Sequence, residues 1–556
     1  MSKISVYTAK RIITMDPGRP FASAVAVMDG RIVSVGTLAS IAPWLEHYEY
    51  EIDDSFANKV IMPGLVEPHT HLRWSGNLAS LHYVGPVEAP AGTGPALNSR
   101  EEVIDRLRAV DAAMDDPNRP LFAWGFDPAV HGGHLNRHDL DAISTTRPVW
   151  VLSYAVHFLY VNSAMLDLLD IDPGLNVHGL GRDADGTLNG VFAEMEATRL
   201  AMDPFKQELS RPGGAAEGLR ALSTSAIDAG ITTTADLGVG LNDFDAECRD
   251  YHSAVPDSGF PLRMVLVPTG VALRDKFGSD GPRALAELRN RNTEKLRYNG
   301  VKFWSDGAYQ AMSLRVGFPG YLDGTNGLRG DLIWDEMAET LLPYWEAGEQ
   351  LHVHANGDEA VQAVLDALDQ LQQRKPRFDH RFTIEHFPVA STQQIRRLAR
   401  LGGQASVNNY LTHYRAQLQN LQGLGPDRAE TTARLGSMAR EGVTFGLHSD
   451  FALVVVPMRP LVAAWIATTR MSRDRTQVLA PGERIELDRA LRAITIDAAY
   501  LLRMEDDIGS LEPGKLADFA ILESDPYEAP ETLDQVKVWG TVLGGRKFQS
   551  QRGQGQ

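Results

Sequence analysis

A parallel α/β fold, closed as a (β/α)8 TIM barrel and flanked by a small β domain, is the architecture this sequence predicts. Three observations predict it. Through the middle of the chain, helical stretches alternate with short apolar runs, and repeated β–α alternation implies parallel strands with helical crossovers. At both ends the alternation gives way to short apolar runs broken by turns, the pattern of hairpin-connected antiparallel strands. No Gly-x-Gly-x-x-Gly follows a first strand, which tells against an open doubly wound sheet.

The elements follow in order. Residues 1–62 carry candidate strands at 11–15, 24–27 and 31–35. Residues 501–548 repeat the pattern at 517–522, 536–539 and 541–543, so the two ends are expected to pair as one domain. The barrel is expected over 63–500. Its helices fall at 214–229, 282–291, 335–348, 357–371, 391–401 and 431–441. The apolar runs that follow them lie at 231–234, 301–304, 351–354, 382–385, 405–407 and 443–446. Residues 75–200 break the rhythm. They are rich in Gly, Pro and His, with scattered helices such as 100–114, and read as an insertion after the first barrel strand that shapes a pocket. The polar tail 549–556 reads as disordered.

Composition bounds the function. At 556 residues, 43% hydrophobic and 23% charged, the chain is an ordinary soluble globular sequence. A formal net charge of -18 argues against nucleic acid and against anionic membrane surfaces as partners. No run reaches the length of a membrane span, and the N-terminus lacks the apolar core of a signal peptide. A cytoplasmic location is expected. The single cysteine, Cys248, forms no internal disulfide and reads as a buried, inert thiol.

The most informative stretch is Pro63-Gly64-Leu65-Val66-Glu67-Pro68-His69-Thr70-His71. In a strand, residues i and i+2 point to one face, so His69 and His71 can grip one divalent cation, which can activate water. The pair alone is weak, because 16 histidines in this length give roughly half an H-x-H pair by chance. Its company is stronger. Lys302, His354, His386 and Asp450 each fall at or near the end of a predicted strand. Nitrogen and carboxylate ligands on five strands are hard to obtain by chance. His352 reads as core packing. His131, His134 and His138 lie in a Gly-rich loop with no helical pattern to make them a metal site.

In these motifs the chain resembles the amidohydrolase superfamily, and within it the YtcJ-like branch, amidohydrolase family 3, which takes in N-substituted formamide deformylases. The Pro63 to His71 block resembles P-G-[FL]-[IV]-[DE]-x-H-x-H. Residues 301–308 are similar to a V-K-x-[FW]-x-D-G strand, His354 to Asp358 to H-A-x-G-D, and Ile384-Glu385-His386 to I-E-H. His448-Ser449-Asp450 stands where G-S-D is usual. Residues 509–518 resemble the G-S-[IL]-x-x-G-K-x-A-D signature of a composite β-sandwich built from both chain ends.

The resemblance implies roles. His69 and His71 would bind a first metal, His354 and His386 a second, and Lys302, N-carboxylated, would bridge them. Asp450 would touch the first metal and act as general base. One or two divalent ions are implied, zinc first. His448, beside that aspartate, could reach the pocket as a substrate contact, and reads as a structural or supporting residue ahead of a ligand. His157, Trp304, Tyr309, Tyr410 and Phe451 are candidate substrate contacts. The expected reaction is hydrolysis of a non-peptide C–N bond in a small-molecule amide, N-substituted formamides leading. A cyclic amide, carbamate or lactone hydrolase is the alternative on the same site, for which Arg315 and Arg415 could hold a substrate carboxylate. A catalytically silent ligand-binding homologue is the alternative of another class. A homodimer is common for such barrels, although no segment specifies an interface.

Overall fold

The computed structural model describes residues 3–79, 81–87, 95–116, 118–154, 157–209, 214–451, 456 and 458–550. The chain forms two compact units. The first comprises Met1–Thr70, Ser223–Asp450 and Met458–Gln556, and the second His71–Leu222 and Phe451–Pro457.

In the first unit both chain ends enter one eight-stranded sheet. Its order is Arg546–Gln549, Val538–Leu543, Phe519–Leu522, Val60–Pro63, Ile4–Ile13, Phe21–Met28 and Arg31–Gly36, with Tyr50–Asp53 beside Ile4–Ile13. The ends join where Phe519–Leu522 runs antiparallel to Val60–Pro63. Not every pairing is the antiparallel hairpin expected, since Tyr50–Asp53 and Val60–Pro63 both run parallel to Ile4–Ile13. The period of two sorts the faces. Val25 and Val27 pack with Tyr7, Phe56, Ile61, Phe519 and Val542. Ala24 and Ala26 pack with Val6 and with Ile41 and Leu45 of the helix Leu38–Leu45. The sheet claims Gln549, and Ser550 N–H donates to Trp539 O at 2.9 Å, so these two residues of the tail expected to be disordered are instead ordered. Residues 551–556 lie outside the described residues.

The remaining strands of this unit are parallel. One sheet orders Leu296–Tyr298, Arg263–Pro268, Ile231–Val239 and Leu65–Thr70, and another orders Val301–Trp304, Leu351–Ala355, Thr383–His386, Gln404–Val407 and Phe445–Leu447. Nearly all their residues are buried, as in strands covered on both faces. The crossover helices show why they form. Asp358–Arg374 buries Val361, Val364, Leu365, Leu368 and Leu371 at helical spacing. Thr392–Arg400 starts from a capping box between Ser391 and Gln394.

Among the described residues no ladder closes the expected barrel. The two sheets meet at a single bridge, Thr269 with Lys302. At the other edges, the backbone of Ala493 and Ile494 stands between the strands. Ile494 O accepts from Val66 N–H, and Ala493 O accepts from Leu447 N–H, both at 2.9 Å. Those carbonyls satisfy donors that a neighbouring strand would otherwise meet.

The second unit overturns one expectation. The stretch read as scattered helices holds a six-stranded sheet, ordered Leu180–Arg182, Leu188–Ala193, Phe158–Val161, Val149–Ser153, Leu121–Phe126 and His82–Tyr83. Val103, Leu107 and Val110 of the helix Arg100–Ala113 pack with Leu121, Ala123, Val149 and Val151 in its core. No helix of the described residues is long and apolar enough to cross a membrane.

Candidate metal centre

Register places the site. Lys302, His352, Thr383 and Gln404 lie side by side across the five-stranded sheet, and two residues on, Trp304, His354, Glu385 and Ser406 do the same. In a parallel sheet, each such row shares a face, and rows two apart share it too. His386 stands one residue off that rhythm. Its φ of 72° breaks the extended backbone and brings its ring within 4.7 Å of His69 and 4.6 Å of His354, centroid to centroid. Asp450, three residues beyond Phe445–Leu447, has a φ of 58°. Non-glycine residues in this region cost of order 1–3 kcal/mol, a strain that clusters at functional sites.

Glu385 is the hub. Its Oε2 lies 2.5 Å from His69 Nδ1 and its Oε1 lies 2.7 Å from His352 Nδ1. A carboxylate only accepts, so each imidazole carries its proton on Nδ1. In the neutral tautomer this leaves the lone pair on His69 Nε2, which lies 3.3 Å from Asp450 Oδ1 and 3.5 Å from Lys302 Nζ. Asp450 Oδ2 lies 3.7 Å from His386 Nδ1. The His448 ring stacks on His69 at 4.5 Å with 13° between planes. One nitrogen from each of His69, His386 and His448 fits within 4.8 Å of the others. His354 Nε2 lies 3.1 Å from Gly307 O and 2.9 Å from Asn356 Nδ2, donating to the first or accepting from the second according to its tautomer.

Burial sets the electrostatics. It pushes Lys302 down to about 8, against the pull of Glu385 and Asp450. It pushes His448 down to about 3 and His386 well below the usual imidazole range, so both rings are neutral donors at pH 7. Burial would raise Glu385, but His69, His352 and Lys302 together carry it well below the carboxylate range. Glu67 is pushed up to about 8 by burial, and its Oε1 accepts Ser449 N–H at 2.8 Å.

The first unit thus brings together His69, Lys302, His386, His448 and Asp450 from the sequence expectation, with His354 against His386. Trp304 is half-buried, its ring 5.4 Å from Lys302 Nζ. Tyr309 and Tyr410 are fully buried, and their hydroxyls engage Thr432 Oγ1 and Arg459 O, at 2.8 and 2.6 Å. His71, Phe451 and His157 belong to the second unit. There His71 is buried, its N–H donates to Phe451 O, and His157 is half-buried. Arg315, a candidate for a substrate carboxylate, is bound to Glu359 and Asn326. Sequence reasoning missed Glu385 and the polar role of His352. The available signal was alternation, which puts Glu385 on the face of Thr383, level with His354.

A model described as the amidohydrolase family matches residues 57–547. The chain belongs to that family. This amidohydrolase is 26% identical to Protein LONG AFTER FAR-RED 3 of Arabidopsis thaliana, over 97% of this chain and 90% of that protein. It is 25% identical to N-substituted formamide deformylase of Arthrobacter pascens, over 96% of each chain. Its fold is similar to that of an uncharacterized metal-dependent hydrolase from Pyrococcus horikoshii OT3, with a TM-score of 0.71 and 19% identity, over 95% of this chain and 99% of that one.

The donor set of this amidohydrolase fits a divalent cation. Imidazoles and a carboxylate converge in a buried place, and neither ring nitrogen of His448 has a hydrogen-bond partner among the described residues. Half-buried Cys248 stands outside the cluster, its thiol pushed up to about 11 by burial, which suits an inert role.

Proposed function

We propose that this chain hydrolyses a non-peptide C–N bond of a small N-substituted amide, formamides first, in a metal-dependent reaction. The observation that carries the reading is the placement of Asp450. Its two oxygens face the ring nitrogens of His69 and His386, and Glu385 holds the His69 lone pair toward it. The two parallel sheets are read as parts of one interrupted (β/α)8 barrel, with these groups at strand C-terminal ends, where such barrels carry catalysis. The A. pascens relative's name supports formamides as the first substrates to try.

His69, His386 and Asp450 would hold the ion, with Lys302 and His354 beside them. Zinc suits imidazole and carboxylate donors, as do manganese, iron and nickel. Bound there, the ion would supply Lewis acidity toward the substrate carbonyl and acidify water. Asp450 takes the proton of the attacking water and delivers it to the leaving nitrogen. Lys302 as an ammonium would repel a cation. Reaction of its neutral amine with CO2, releasing one proton, gives a carbamate whose oxygens can ligate instead, and burial favours that neutral amine.

The test is an assay of the purified protein against N-substituted formamides, other amides, cyclic amides and lactones, with and without chelator. Chelator-sensitive turnover of formamides supports the reading. Turnover confined to cyclic amides or lactones replaces the substrate class, and chelator-resistant turnover removes the metal.

A further inference from the structure

We propose that His448 is a metal ligand, so that His69, His386 and His448 form a three-imidazole seat for one cation. The inference rests on the metal-dependent reading above and specifies its centre. It assigns a direct bond to a position where the resembling sequence pattern has glycine, which contributes no side chain.

Four observations carry it. First, the ring is aimed at the site. His448 follows directly on the strand Phe445–Leu447, and its N–H donates to Val407 O at 3.0 Å, which continues the ladder by one residue. Its ring centroid sits 4.5 Å from that of His69 and 5.1 Å from that of His386. Second, the ring is wholly buried, and neither nitrogen has a hydrogen-bond partner among the described residues. An orphaned buried polar group costs about 1–3 kcal/mol, which coordination would relieve. A histidine kept only for packing would more commonly find a carbonyl. Buried His380 does so, with Nε2 3.0 Å from Leu401 O.

Third, the reach is right. The three candidate nitrogens lie within 4.8 Å of one another. Zinc–nitrogen bonds of about 2.0–2.1 Å set tetrahedral nitrogens about 3.3 Å apart, so modest ring rotations close the seat. Fourth, among the described residues His354 joins no such group of three donors, and its Nε2 lies 3.1 Å from Gly307 O and 2.9 Å from Asn356 Nδ2. Three imidazoles leave a fourth position open on a tetrahedral ion, which is the form of a catalytic rather than a structural site. His448 then takes the third position in place of Asp450, which stays beside the seat as a base.

The experiment compares wild type, His448→Phe and His448→Gly, each stripped of metal and reloaded with cobalt(II). Phe keeps a buried ring and the stack on His69 but has no donor atom. Gly leaves a space that free imidazole can enter. Cobalt affinity is measured by chelator competition, the visible d–d spectrum reports coordination, and X-ray absorption counts imidazoles. The expected result is loss of one imidazole in His448→Phe, a changed d–d spectrum and a fall in affinity beyond the roughly 100-fold reached by losing an outer partner of a ligand. In His448→Gly, added imidazole restores the wild-type spectrum. Wild-type spectrum and imidazole count in His448→Phe overturn the assignment, even if affinity falls modestly. Failure of wild type itself to take up cobalt overturns the metal-dependent reading and the assignment with it. Uptake by wild type that is lost in His69→Ala but unchanged in His448→Phe leaves the metal-dependent reading standing and refutes His448 alone.

Discussion

Replacing Glu385 by leucine should weaken metal binding by about 10–150-fold without removing any atom that touches the metal. The figure follows from the two neighbours of His69. Its Nδ1 faces Glu385 Oε2 at 2.5 Å, and its Nε2 faces Asp450 Oδ1 at 3.3 Å. With Glu385 present, the neutral ring carries its proton on Nδ1 and offers its lone pair at Nε2. Once the carboxylate is gone, the proton moves to Nε2, where Asp450 accepts it. A cation can bind Nε2 only if that proton returns to Nδ1, where no acceptor remains. The hydrogen bond forfeited is one to a charged group, worth about 1.5–3 kcal/mol. At 1.4 kcal/mol per factor of ten, that is about 10–150-fold in Kd. Chelator competition on the zinc-loaded protein measures it, with circular dichroism of the metal-free form as a folding check. Glu385→Gln should fall between, since an amide still offers one acceptor. A leucine variant that folds and binds zinc within threefold of wild type would refute the argument that Glu385 sets the His69 tautomer.

Further predictions follow from the same geometry. Asp450→Asn should lower kcat by about 10²–10⁴ while retaining metal, because the amide keeps the shape and loses the base; steady-state kinetics with metal analysis on the same sample decides. Lys302→Ala should lower metal occupancy, with recovery on adding short carboxylic acids. Full occupancy and activity without rescue would show that a carbamate is not used. Asp518→Asn should destabilise by about 3–5 kcal/mol, because Arg263 and Asp518 are 4% and 3% exposed and bonded at 2.6 and 3.0 Å, and the buried guanidinium loses that carboxylate while keeping its bond to Glu294 O. Thermal denaturation checks it, and pairing the change with Arg263→Met should recover part of the loss.

What the sequence made legible, and what it hid, has physical reasons. His69, Lys302, His386 and Asp450 could be found because each sits within, at the end of, or just beyond a short apolar run. Glu385 was hidden because His386 next to it leaves strand geometry at φ 72°, so two adjacent residues reach one cluster against the period of two. The strand Arg263–Pro268 escaped because its buried residues carry no alternation, and a proline ends it. The sheet in the second unit escaped for a similar reason. Leu121–Phe126 and Val149–Ser153 are buried at every position, among glycines and prolines that suggest loops. The open edge of the barrel was invisible because the carbonyls of Ala493 and Ile494 come from a segment with no strand pattern. The pairing of the chain ends left a trace in the Ala517-Asp518 end of the C-terminal signature. Asp518 accepts from Arg263 and from Gly544 N–H, and its carbonyl accepts Gly64 N–H at 2.9 Å.

The most direct test of a metal-dependent hydrolase is metal content and turnover measured on one preparation, purified without chelator. Both are read before chelation, after it, and after zinc is returned. The account predicts one or two equivalents of divalent metal, formamide hydrolysis that disappears on chelation, and recovery with zinc. Hydrolysis that persists in metal-free protein would contradict it.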